Sequence, residues 1–73
     1  MDERLTLFVD VILPRSIHKA FTYRVPFELN DFTQVGVRVI VPFGKSKLLT
    51  AIVVNIHEIA PKDYQAKYIE HVL

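Results

Sequence analysis

No cysteine occurs in the 73-residue chain, which excludes a disulfide framework and any thiolate metal site. Its two glycines are too few for a glycine-rich phosphate loop, and no serine stands in a nucleophile elbow. His18, His57 and His71 lie far apart, without a carboxylate or second histidine at ligand spacing, so no metal site is predicted. Long apolar runs are missing too. The longest, Ala51 to Val54, is flanked by Thr50 and Asn55 and falls far short of the roughly 20 residues needed to span a bilayer as a helix. The first thirty residues lack the basic, apolar and small-residue layout of a signal peptide, so a cytoplasmic protein without membrane insertion is expected. Nor is there an excess of one charge: nine Lys and Arg face eight Asp and Glu, for a net charge of +1. That balance argues against a long track along duplex DNA, because such binding draws on many phosphate contacts. Any nucleic acid held here is held through few phosphates.

What is present is apolar alternation. Hydrophobic residues make up 51% of the chain, enough for one small domain with its own core. Leu5, Leu7, Val9, Val11 and Leu13 recur with the period of two that marks a half-buried strand, and Pro14 ends the run. Phe21, Tyr23 and Val25 share one face of a second strand over Lys19 to Val25. From Phe27 to Val35 the period fails, and Asn30-Asp31 is a turn signal, which predicts an irregular crossing loop anchored by Phe27 or Phe32. Val37 to Phe43 is a third strand. Leu48 to Ile59 is apolar on both faces, which predicts a strand central in its sheet and buried on both sides, or bent to serve two parts of a barrel. Asp63 to Ala66 has room for one helical turn, and Lys67 to Leu73 reads as a fifth strand. Five short strands separated by turn signals suggest a small antiparallel barrel, and periodicity does not choose between OB and SH3-like kinds. The run Ile69 to Leu73 alternates up to the last residue, so the chain is read as the N-terminal piece of a longer protein.

Gln34 to Lys45 forms a glycine-entered strand that stops at Pro42-Phe43-Gly44 and passes directly to a lysine. Gly44 permits a positive φ or a close approach of another backbone or a ligand; a plain hairpin turn accounts for the same pattern. Aromatics stand beside cations at Phe21 and Tyr23 with Lys19 and Arg24, at Phe43 with Lys45 and Lys47, and at Tyr68 with Lys67. Such pairs stack bases and hold phosphates of single strands, unless the rings are core and the lysines only solvate its rim. Asp10 is either a buried carboxylate with a raised pKa or an exposed residue at a strand edge. Catalysis by a carboxylate needs a second acid or base held nearby, and the chain is not expected to be an enzyme by itself.

Val9-Asp10-Val11-Ile12-Leu13-Pro14, Phe21-Thr22-Tyr23-Arg24-Val25-Pro26 and Gly36-Val37-Arg38-Val39-Ile40-Val41-Pro42-Phe43-Gly44-Lys45 together resemble the N-terminus of the PriA (primosomal protein N′) helicase family, in order and spacing. The resemblance covers nearly the whole chain. It implies an all-β fold, a small, partly open, five- to six-stranded antiparallel barrel of OB-like kind, acting as a 3′ DNA-binding domain over residues 1–73. It also implies a pocket for the 3′-terminal nucleotide of the nascent leading strand at stalled replication forks, which places the helicase for replication restart. Phe21, Gly44 and Lys67 are the positions that match the family's pocket residues. The position after the pocket phenylalanine is often an aspartate that accepts from the base, whereas this chain has Thr22, a weaker acceptor that can also donate. The expected end-binding set is therefore Phe21, Thr22, Tyr23, Gly44, Lys45 and Lys67, with Lys47 and Arg15 as further phosphate contacts. Partners implied are single-stranded or forked DNA with a free 3′ end and, through the full-length chain, other primosome proteins. ATP, magnesium and zinc belong to the rest of that longer ATP-dependent 3′ to 5′ helicase and not to this segment. Two other functions fit the same residues: an SH3-like module contacting RNA, suggested by the Gly36-entered strand, and a protein-assembly domain pairing through the edge at His71 to Leu73.

Overall fold

A computed structural model describes residues 5–14 and 16–73, without the side chains of 16–18. The order is β1 (Leu7–Leu13), β2 (Ser16–Val25), a 3-10 helix (Phe27–Phe32), β3 (Arg38–Phe43), β4 (Lys47–His57) and β5 (His71–Val72). All strand pairs are antiparallel, in the spatial order β2-β1-β4-β3-β5. The fold is all-β, as a partly open OB-like barrel. Among the described residues no helix is long and apolar enough to cross a membrane.

Alternation decides the inside. Val9, Val11 and Leu13 of β1, Tyr23 and Val25 of β2, Val39 and Val41 of β3, Ala51 and Val53 of β4, and Ile69 form the buried cluster. β4 is central in the sheet, but it is not buried on both sides. Its outward residues Leu48, Ile52 and Val54 are exposed. A register shift against β1 between Asp10 and Val11 leaves Val54 unpaired, and Ile56 turns inward opposite Val9. That bulge bends the strand around the barrel.

The crossing loop is ordered instead as the 3-10 helix, which starts after Pro26 (φ −60°). Phe32 does not anchor it, being 63% exposed. Leu29 packs against the core, and the buried Thr33 donates its hydroxyl to the Leu29 carbonyl at 2.7 Å. Asn30, read as a turn residue, lies within the helix and donates to the Leu5 carbonyl at 3.0 Å. Residues 62–64 form bends, so the predicted helical turn at Asp63 to Ala66 is absent.

The predicted fifth strand divides its pairing. Its first part bridges β2 in parallel at Tyr68, with Arg24 N–H to the Lys67 carbonyl at 2.8 Å and Ile69 N–H to the Arg24 carbonyl at 2.9 Å. Its second part joins β3, through Glu70 N–H to the Ile40 carbonyl at 2.7 Å and Leu73 N–H to the Arg38 carbonyl at 2.9 Å. Residues 67–73 thus close the barrel between β2 and β3, but only over one end of those strands. Proline explains where closure stops. Even-numbered residues of β3 direct their backbone groups to this seam, and Pro42 has no N–H to offer a ladder.

Candidate nucleic-acid interface

The unclosed part of the seam is a cleft of ≈ 480 Å³ between residues 19–23 of β2, residues 42–44 at the end of β3, and residues 64–67. Tyr23 spans its floor. The buried ring points inward, and its hydroxyl donates across the seam to the Pro42 carbonyl at 2.7 Å. Burial, and after it the neighbouring Tyr64 phenol, push the Tyr23 hydroxyl above its ordinary pKa, which keeps the proton that this bond requires.

Phe21, one step up β2 on the same face, is half-buried. Its ring meets Phe43 edge-on, with centroids 5.6 Å apart and planes at 85°, the geometry that aromatic quadrupoles favour. The Lys19 ammonium stands 5.6 Å from the Phe21 ring centroid. Gly44 follows Phe43 in the turn with φ +71°. A Cβ there would meet no protein atom within 4 Å, so glycine is required for backbone conformation and the space beside it is open. From the opposite wall the Lys67 ammonium donates to the Gly44 carbonyl at 3.3 Å. An ammonium has three donors, and this bond leaves others for a ligand. The described lining residues include the cations Lys19 and Lys67 and no acidic side chain.

Thr22 faces away from the barrel interior and reaches the cleft at the β2 edge. Its backbone N–H, which has no strand partner there, donates to the Tyr64 hydroxyl at 3.2 Å. Its own hydroxyl donates to Asp10 Oδ1 at 2.7 Å. Asp10 also accepts from His57 Nε2 at 3.0 Å and from Asn55 Nδ2 at 3.3 Å. Burial raises the Asp10 pKa, but the bonds from Thr22, His57 and Asn55 outweigh it, holding the carboxyl below 3.8. Asp10 is therefore neither a raised-pKa acid nor a strand-edge residue: β1 lies between β2 and β4.

Of the residues expected at the site, Phe21, Thr22, Tyr23, Gly44 and Lys67 line this one cleft. Lys45 and Lys47 do not: both are exposed, on the turn and at the start of β4. Arg15 lies outside the described residues. Tyr64, Gln65 and Lys19 also line the cleft, outside the set expected from the sequence. Tyr64 carried a signal in being an aromatic three residues before Lys67. Among the described residues no group of three or more His, Asp or Glu is placed to hold a metal ion.

A family of sequences described as the 3′DNA-binding domain (3′BD) of PriA matches residues 10–73. The chain belongs to this family. As a PriA 3′BD it is a DNA-binding module rather than a catalytic one, and DNA is its partner. Comparison with curated proteins and with solved structures gives no match. The 3′BD match spans every lining residue of the cleft.

Proposed function

We propose that the cleft receives the 3′-terminal nucleotide of single-stranded or forked DNA. The observation that carries this reading is the convergence of Phe21, Gly44 and Lys67, from three separate stretches of chain, on one cleft. Each supplies what recognition of an end requires. Phe21 offers a ring for base stacking, Lys67 offers donors to the last phosphate or the sugar, and Gly44 offers backbone without a side chain where a continuing strand would otherwise pass. Tyr23 holds the floor. Lys19 adds positive potential at the rim, while Lys45 and Lys47 reach only phosphates running away from the cleft.

In this reading the chain is the N-terminal domain of a longer cytoplasmic PriA-type helicase. It engages the nascent leading strand at a stalled fork and so directs replication restart. ATP, magnesium and zinc would act in other parts of that protein, as would contacts with further primosome proteins.

Fluorescence titration with short single strands tests the reading, using a free 3′-hydroxyl, a 3′-phosphate or a circular form of the same sequence. Tighter binding of the 3′-hydroxyl strand is expected, and equal affinity for all three forms would sink the end pocket. Phe21→Ala should weaken binding of the free end by about 1–3 kcal/mol. Unchanged affinity in a folded variant would leave Phe21 with a packing role alone.

A further inference from the structure

We propose that Tyr68 and Arg24 form a second subsite, which stacks the base of the nucleotide before the 3′ terminus and holds the phosphate that joins the two. The proposal rests on the end-pocket reading and goes beyond it, because it gives the cleft a directed approach for a single strand. Neither residue lines the cleft or belongs to the buried core.

Strand register places the pair. Thr22 faces outward at the lip of the cleft, where Tyr64 meets it, and Arg24 is the next outward residue of β2, about 7 Å further along. Tyr68 bridges Arg24 in parallel. Because Ile69 is buried, the ring before it stays outside, 48% exposed. The Arg24 guanidinium stands 5.2 Å from the centroid of that ring, a cation–π contact. Its cross-strand neighbour on the other side is Phe8, which is buried and stacked on His57 with centroids 6.1 Å apart and planes at 20°. An aromatic neighbour on each side restricts the arginine, so less entropy is lost when a ligand binds it. The seam itself is held without these side chains, by the backbone bonds of 2.8 and 2.9 Å between Arg24 and residues 67 and 69.

What the pair leaves unused defines the ligand. A guanidinium has five N–H donors, and among the described residues no hydrogen bond or ion pair takes one up; the ion pair there joins His57 to Asp10. Half of the Tyr68 ring is open to solvent. An exposed ring beside an unpaired guanidinium suits a base with its adjoining phosphate, and the distance from the lip suits the nucleotide next to the end. The chemical class is a single strand of at least two nucleotides, with no selection among bases, since every base has a π face.

The test titrates the chain with linear single strands that have a free 3′-hydroxyl and an abasic site either second or fifth from that end. Compared with the intact strand, the second-position abasic strand should bind wild type about five- to tenfold more weakly, the lower end of base–aromatic stacking, and the fifth-position strand should bind equally well. Tyr68→Ala should weaken the intact strand by the same factor and erase the difference, whereas Tyr68→Phe should keep it. Arg24→Met should reduce the log–log salt slope by about 0.7. Thermal melts establish which variants are folded, and a second arm needs no variant: a strand with an iodinated uracil second from the end, irradiated and digested, should crosslink at Tyr68. Wild type that prefers free ends yet tolerates the second-position abasic site, or that crosslinks elsewhere, overturns the inference and leaves the end pocket standing. So does a folded Tyr68→Ala that still discriminates. A wild-type chain that binds circular and linear strands alike overturns the end pocket and the subsite with it, so the two failures are distinguishable.

Discussion

At Gly44 the backbone takes φ +71° while the position of a Cβ remains free of protein atoms. Gly44→Ala should therefore cost about 1–2 kcal/mol through left-handed strain alone, measured by chemical denaturation, and Gly44→Asn should cost less because asparagine tolerates this region better. Asp10 makes a different prediction. Its folded pKa lies below the ordinary 3.8, so its contribution to stability is complete above that value and is lost as pH falls through the lower folded one. Thermal unfolding from neutral pH downward should show wild type more stable than Asp10→Asn, with the gap closing below about pH 3.8. A gap that stays constant into acid would contradict the assignment. These two residues also differ in how far the sequence exposed them. The glycine, the proline before it and the alternating strand are adjacent, so the positive φ at the corner was legible. The partners of Asp10 are 12, 45 and 47 residues away, and only strand register unites them.

Among the elements, β4 tests the direction of burial. Ile52 is 48% exposed and Val53 is fully buried beside it. Ile52→Lys should change stability within about 0.5 kcal/mol, whereas Val53→Lys should cost more than about 4 kcal/mol or prevent folding; denaturation midpoints separate the two. The sequence could not make this distinction, because both faces of Leu48 to Ile59 are apolar and a period of two has no sign. The bulge at Val54 compounds the difficulty by exchanging which parity faces the core. By contrast β1, β2 and β3 each have one strongly apolar face, and Val9, Val11, Leu13, Tyr23, Val25, Val39 and Val41 on those faces are buried, although Leu5 and Phe43 at the ends of the alternating runs are exposed. Residues 67–73 were read as one strand because alternation runs through them. Pairing with β2 and then with β3 is a property of two partners far away in the chain, and no local pattern encodes it. For the site, the outcome was similar. Phe21, Gly44 and Lys67 came from the family resemblance, while Tyr64 was obscured by the helical turn expected around it.

For the molecule as a whole, a net charge of +1 and two cations among the described lining residues of the cleft predict a shallow salt dependence. One or two phosphates held on a single strand correspond to a log–log slope of roughly −0.7 to −1.4, read from titrations at several salt concentrations. A markedly steeper slope would indicate a backbone track across the outer face. The seam that holds the site is also where the barrel is least closed, bridged by the Tyr23 hydroxyl to Pro42 and the Lys67 ammonium to Gly44. Its walls come from near the beginning, the middle and the end of the chain, so the cavity exists only while the last residues are docked. An occupant touching all three walls is then a thermodynamic clasp. It holds β2, the corner after β3 and residues 64–67 together and, at a hundredfold excess over its dissociation constant, shifts the unfolding equilibrium by about 2.7 kcal/mol. On the end-pocket reading proposed above, the DNA end would complete the closure that Pro42 interrupts.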